Sequence, residues 1–382
     1  MKIGIVTLPF NSNYGGLLQA YALQSVLKQM GNEVLTVNQY SKSMPLRMKI
    51  LSFGRRSILR LIFRKQIVVR TWPNGQEESI ISQHTNRFIE ENIITTQLIR
   101  SKKDFDLLYK YNFDAYIVGS DQVWRPKYSP CLENHFLGFL KNNSKIKRIA
   151  YAASFGVDNW EYSPSQTKTC SSLVKQFNSV SVREDSAINL CKKYLGIDAV
   201  QNLDPTLLIS KEEYINLVVN DNIPKHSGTL LVYILDLSAE KKNIIKQVTE
   251  LLKLTPISTM PEGLFREVGS KNLKHCIYPP VTYWLRGFMD SEFVITDSFH
   301  GTVFSIIFNK PFLAIGNTKR GITRFISLLK MFGLEDRLIQ PGNNDITKKI
   351  NTKINYSTIN VILEKRKIEA LSFLQNALNP SD

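Results

Sequence analysis

Cysteine is scarce: the 382 residues contain four, Cys131, Cys170, Cys191 and Cys276, with no Cys-x-x-Cys pair and no cysteine–histidine cluster. A structural zinc site and a disulfide framework are therefore not expected. Acidic residues are in deficit, 33 against 49 Lys and Arg, which leaves a formal charge of +16. Such an excess favours anionic partners: nucleic acid, phosphorylated metabolites or an acidic membrane surface. No apolar run reaches the roughly 18 residues of a membrane-spanning helix. The opening residues, MKIGIVT, enter a strand-like run directly and lack the apolar core and cleavage site of a secretion signal, so a cytoplasmic, reducing location is expected. Repeats at a solenoid period and low-complexity tracts are also missing. What remains is an ordinary globular composition, 43% hydrophobic and 21% charged. At roughly 100–200 residues per domain, the length suggests two domains.

Short apolar runs alternate with helical stretches along the whole chain. Strands are expected at 2–8, 33–38, 114–118, 148–153, 179–182 and 199–203, and a second set at 230–235, 256–259, 293–296 and 312–315. Several are almost continuously apolar, as when helices cover both faces of a parallel sheet. Leu17, Ala20, Tyr21, Leu23, Val26, Leu27 and Met30 form a helical stripe stopped by Gly31. The pattern predicts an α/β protein of two doubly wound, Rossmann-like domains facing a cleft, residues 1–210 and 225–382, with the linker in 221–228. One segment departs from it. Arg47, Lys49, Arg55, Arg56, Arg60, Arg64, Lys65 and Arg70 occur in segment 47–70 with no acidic residue and with apolar residues interleaved. This reads either as a basic amphipathic helix on an anionic bilayer or as a surface helix that packs its apolar side on the domain.

In open α/β sheets ligands bind beyond the carboxyl ends of the strands, so polar and glycine residues carry most weight there. After the first strand, Asn13-Tyr14-Gly15-Gly16 opens a helix; the glycines permit close backbone approach and the free N–H groups suit an anion or sugar hydroxyl, while a tight turn capped by Asn13 is the plainer alternative. Asp121, in VGSDQVW, could orient a substrate hydroxyl, act as a base, or cap a turn. Arg183 opens a helix, where the dipole disfavours a cation unless an anion is held there; the alternative is a salt bridge to Glu184 or Asp185. His300 follows a strand end, beside Gly301 and three residues after Asp297, which could fix its tautomer. Arg320 and Arg324 offer further cations near the same cleft, or a solvated helix face.

The ordered set TLPFNSNYGGLLQAYAL, YIVGSDQVW, YAASFG, SVRED, LDPTLL, TDSFHGTVFS and RGITRF…GLEDR resembles the polysaccharide pyruvyl transferase family over nearly the whole chain. The resemblance implies a two-domain glycosyltransferase-B fold with the acceptor on the N-terminal side and the donor on the side of the His300 loop. It implies transfer of the pyruvyl group of phosphoenolpyruvate to two hydroxyls of a surface-polysaccharide precursor, lipid-linked or polymeric, as a cyclic ketal. Phosphoenolpyruvate is the donor substrate; no cofactor and no metal are implied. By the same resemblance His300 is the acid/base with Asp297 beside it, Arg183 binds the donor, and Arg320 and Arg324 are further phosphate candidates. Asn13, Tyr14, Gly15, Gly16 and Asp121 fall on the acceptor side. Some family members carry Arg two positions before the His, where this chain has Ser298; Ser298 is counted with the donor-binding residues, and one donor contact is either missing or supplied elsewhere, by Arg320 or Arg324.

Two other classes stay open: a nucleotide-sugar glycosyltransferase of the same fold, and a non-catalytic protein that binds polysaccharide or membrane. Nucleic-acid binding is not expected, because the basic segment carries no recognition motif. The expected location is cytoplasmic, with the inner membrane face as a peripheral site.

Overall fold

The apolar runs form eleven short parallel strands. The structure is a computed structural model that describes residues 1–40, 45–64, 67–129, 131–141, 143–340 and 345–379. Six strands make the first sheet: β1 (Lys2–Val6), β2 (Glu33–Thr36), β3 (Ala115–Val118), β4 (Lys147–Ala153), β5 (Ser179–Val182) and β6 (Val200–Gln201), in the order β2-β1-β3-β4-β5-β6. The second sheet contains β7 (Leu230–Tyr233), β8 (Pro256–Ile257), β9 (Phe293–Thr296), β10 (Phe312–Ile315) and β11 (Leu338–Ile339), ordered β11-β10-β9-β7-β8. All pairings between strands are parallel. Every residue of β3, β9 and β10 is buried, as a strand covered on both faces requires. The edge strands β6 and β8 shrink to two residues each, shorter than the apolar runs that suggested them. The two-residue β11 lies in a stretch without strand periodicity and was not expected.

The two sheets share a core. One buried apolar cluster runs from Ile3 and Ile5 through Leu18 and Leu23 to Trp284, Phe304 and Leu374. The helix Phe299–Ile307 is mostly apolar and every one of its residues, His300, Thr302 and Ser305 included, is buried. The long helix Tyr356–Leu378 returns to the first sheet, where Phe373 packs 6.3 Å from Tyr151, ring to ring, and the Lys147 ammonium donates to the carbonyl of Leu378. Sheet order places the cleft. β1 is flanked by β2 on one side and β3 on the other, and β7 by β8 and β9, so each sheet has a switch point whose strand-end loops are free to receive a ligand.

The basic segment folds into the helix Leu46–Leu61, none of whose residues is buried. Packing of its apolar side on the domain, one of the two readings above, does not occur: Leu46, Ile50, Leu51 and Ile58 are exposed, and the half-buried positions are Lys49, Ser52, Arg56, Ser57 and, alone among the apolar residues, Leu59. Lys65 lies outside the described residues. Among the described residues no helix is long and apolar enough to cross a membrane.

Candidate active site

The loops at the two switch points meet over a cleft of about 640 Å³, bordered among others by Asn13, Asp121, Asp236, Ser298, His300 and Arg320. Asn13 stands at the start of the helix Tyr14–Gln29, yet its side chain makes no capping bond and is exposed on the cleft wall. Gly16 also borders the cleft. Tyr14 borders it too, but its ring is buried 5.7 Å from Trp284, and its hydroxyl donates to the carbonyl oxygen of Pro279 at 2.9 Å. Burial pushes that phenol far above its ordinary pKa. Tyr14 therefore ties the first helix to the second sheet.

Gly15 makes room for His300. A β-carbon at position 15 would lie 2.1 Å from Nδ1 of the imidazole, so only glycine lets the ring rest against this helix. His300 itself sits in the first turn of the helix Phe299–Ile307, which Ser298 caps by accepting from the Gly301 N–H at 3.4 Å. The ring is 96% buried while still reaching the cleft, and its Nε2 faces Oδ2 of Asp204 at 3.5 Å.

The carboxylate that faces the imidazole is thus Asp204, from the LDPTLL run, and not Asp297. The expectation that Asp297 fixes the tautomer of His300 is corrected. Its carboxylate accepts the backbone N–H groups of Leu235 at 2.6 Å and Asp236 at 3.1 Å and pairs with Lys241 at 2.5 Å. These bonds clamp the loop after β7. Asp204 is fully buried: its Oδ1 accepts from the Thr206 hydroxyl at 2.7 Å, and its Oδ2 accepts from Arg183 at 2.7 Å and Ser120 at 3.1 Å. Burial alone would raise its pKa, but the His300 imidazole and Arg183 hold it well below the usual carboxylate range.

Arg183 lies beneath the cleft rather than on its wall. Asp204, Glu184 (3.4 Å) and Asp121 (3.8 Å) surround its guanidinium, which also stacks 4.3 Å from the centre of the Phe299 ring. The pairing with Glu184 weighed for it is present; Asp185 instead meets Lys330. Nη2 of Arg183 is buried with no hydrogen-bond partner among the protein groups. Asp121 borders the cleft from a left-handed backbone conformation, φ 65°, that aims its carboxylate at Arg183.

Two further cations close the cleft from the second sheet. Arg320 forms a fork with Asp236, at 2.5 Å from Nε and 3.1 Å from Nη2, and this pairing takes the Asp236 carboxyl down to about 2. Arg324 is buried near the Phe299 ring at 5.5 Å; burial, with Arg183 adding repulsion, brings its pKa down to about 10. Its Nη2 donates to the carbonyl of Arg320, and its Nε is left without a partner. Gly321 between them has φ 97° and a position where a β-carbon would be 1.8 Å from the carbonyl oxygen of Gly156, so the YAASFG and RGITRF runs touch across the cleft. Among the described residues, no three His, Cys, Asp or Glu side chains converge as a metal site.

The structure thus brings His300, Asp121, Arg320 and Arg324 to one cleft, seats Gly15 against His300 rather than on the acceptor side, and adds Asp204 and Asp236, which sequence reasoning did not single out. Asp204 carries the signal used elsewhere, a polar residue after a strand, and stood inside a quoted run.

Residues 13–319 match the family model for polysaccharide pyruvyl transferase. No curated protein matches the chain. Among solved structures, Arabidopsis thaliana UGT89C1 complexed with UDP-L-rhamnose is similar, at 11% identity and a TM-score of 0.51, over 97% of this chain and 98% of that one. The S. aureus MnaA–UDP complex is similar at 14% identity and a TM-score of 0.51 over the full length of both chains. At such identities the likeness is one of fold: two Rossmann-like halves in the glycosyltransferase-B arrangement.

Proposed function

Because the chain belongs to the polysaccharide pyruvyl transferase family and is a transferase with a saccharide acceptor, we propose that its donor is phosphoenolpyruvate and its product a cyclic pyruvyl ketal on a sugar. The observation that carries this reading is a cleft bordered by the His300 imidazole and by Arg320 and Arg324, the last with its Nε buried and without a hydrogen-bond partner, while Arg183 lies beneath it. Phosphoenolpyruvate brings phosphate and carboxylate close together, and guanidiniums suit both. Arg320 can add a third fork by exchanging Asp236 for the phosphate. No metal is then needed for charge neutralisation.

Protonation of the donor's methylene carbon converts the enol phosphate to an oxocarbenium-like centre at the adjacent carbon. A sugar hydroxyl adds there and loses its proton to a base, forming a carbon–oxygen bond. The carbon–phosphate-oxygen bond then breaks, inorganic phosphate leaves, and a second hydroxyl of the same sugar closes the ketal with loss of its own proton. His300 is placed to supply the first proton and take up one of those released, since an imidazole exchanges protons near neutrality. Asp204 faces the ring nitrogen at 3.5 Å and fixes the orientation of the imidazole toward the cleft. Asn13 and Asp121, across the cleft, are placed to orient the acceptor hydroxyls.

Mass spectrometry of lipid-linked glycans incubated with phosphoenolpyruvate tests the reaction. A gain of about 70 mass units per acceptor, pyruvic acid less water, with release of phosphate is the expected result. Protection from thermal unfolding by a UDP-sugar but not by phosphoenolpyruvate would favour a nucleotide-sugar donor instead.

A further inference from the structure

Amphipathic helices on a globular protein turn their apolar stripe inward. The helix Leu46–Leu61 does the reverse. At about 100° per residue, Phe53, Leu46, Ile50, Leu61, Ile58 and Leu51 fall on one arc of roughly 160°. That arc faces away from the body of the protein: Leu46 is 72% exposed, Leu51 67% and Leu61 78%. Inward contacts are mainly polar instead, with Arg56 donating to the carbonyl of Val68 at 2.6 Å and Lys49 lying 5.9 Å from the Trp72 ring; Leu59 is the one half-buried apolar residue of the helix. Of the 22 large apolar side chains exposed among the described residues, nine lie between positions 46 and 63. This is one continuous patch, not the scatter that any surface shows.

Charge identifies the occupant. Arg55 and Arg60 fall at the two borders of the apolar arc, Arg47 stands within it at the first turn of the helix, and Arg64 follows the helix; all four are exposed, and the segment has no acidic residue. A protein partner that covered the arc would have to meet this cationic rim with carboxylates. A bilayer leaflet rich in anionic lipid meets both demands at once: acyl chains take the leucines and isoleucines, and headgroup phosphates take the arginines, which reach up along their apolar stems. Nucleic acid would leave the apolar arc in water.

We propose that the helix Leu46–Leu61 is a membrane-docking element that lies in the headgroup region of an anionic bilayer. Its connection fixes what the membrane would face. Val68 packs on Gly269, Arg70 lies 5.2 Å from the Phe265 ring and pairs with Glu77, and Pro73 borders the cleft. Docking through this helix therefore brings the cleft mouth beside the lipid surface. The docking itself does not depend on the donor or on the reaction.

The test is flotation of the purified full-length chain with vesicles of phosphatidylcholine alone and of phosphatidylcholine with about one-third phosphatidylglycerol. Expected is binding to the anionic vesicles only and release by high salt. The charge-reversed triple variant R47E/R55E/R60E should bind them roughly a hundredfold more weakly, as fits the loss of three surface arginines. The apolar variant L51E/I58E should also lose binding with an unchanged melting temperature, since both side chains are exposed. Equal binding to neutral vesicles, no binding to either, or undiminished binding by both variants would overturn the proposal. So would a wild-type dimer that becomes monomeric in L51E/I58E, because a second copy would then cover the arc. Phosphoenolpyruvate turnover on a soluble acceptor reads the transfer reaction separately, so failure of one proposal is distinguishable from failure of the other.

Discussion

His300 rests on the backbone of Gly15: a methyl group there would overlap Nδ1 at 2.1 Å and Cβ at 2.6 Å. The overlap involves the root of the side chain as well as the ring, so a rotamer change alone does not relieve it. Gly15→Ala should therefore displace the imidazole while the buried helices around it keep the fold. We expect a destabilisation of about 1–3 kcal/mol from overpacking and a fall in turnover of at least roughly a hundredfold. Thermal melts and steady-state kinetics on the same preparation check it; full activity would mean that His300 need not occupy this position.

His300→Ala should lower turnover by about 10²–10⁴-fold in the folded protein with most donor affinity retained, while the melting temperature falls because the buried ring and its pairing with Asp204 are lost. A purely structural histidine would instead leave turnover per folded molecule unchanged, with residual activity in proportion to folded protein.

Asp204 and Asp297 should separate cleanly. Asp204→Asn removes the charge facing both His300 and Arg183, and breaking a buried pair costs about 3–5 kcal/mol. Its folded-state pKa lies below the unfolded value, so its contribution to stability is present above about pH 4 and is lost as pH falls further. Wild-type melting temperature should accordingly drop more steeply below about pH 4 than that of Asp204→Asn. Asp297→Asn should instead loosen the loop after β7, with a smaller effect on turnover than Asp204→Asn. A larger loss of turnover in Asp297→Asn would reverse the assignment.

Arg324 is a buried charge whose pKa burial brings down to about 10, a desolvation cost that a bound anion would relieve. Below that pH the guanidinium is charged, and its desolvation opposes folding throughout the neutral range. Arg324→Met should leave the ligand-free melting temperature unchanged or raised. The stabilisation by phosphoenolpyruvate should shrink, and in the wild type it should persist in EDTA. Differential scanning fluorimetry with and without the donor decides both points; a large fall in the ligand-free melting temperature would make Arg324 a structural residue.

Much of this was legible in the residues because parallel strands buried on both faces announce themselves as apolar runs. β5, β9 and β10 fall on the expected residues, and β11, only two residues long, had no periodicity to reveal it. Nearness along the chain was a poor guide to partners. Asp297 is three residues from His300, yet the strand end turns its carboxylate toward the loop after β7; Asp204 reaches the imidazole from the other sheet. Such pairing depends on how two sheets face each other, which no local pattern encodes. The basic helix shows the same limit. Periodicity established that an apolar side exists, but only the packing of Lys49 and Arg56 shows which side looks outward.

The return of the helix Tyr356–Leu378 to β4 means that the chain passes between the two sheets twice, once between the helix Lys211–Asn220 and β7 and once after β11. A single cut at 221–228 would therefore not free either half, because the trailing fragment keeps hold of the first sheet by its own C-terminal helix. The two pieces should travel together through gel filtration, and coexpression as separate polypeptides should reconstitute one particle. The two halves are thus held by two chain crossings as well as by their shared apolar core, so that both substrates meet a mouth that does not come apart.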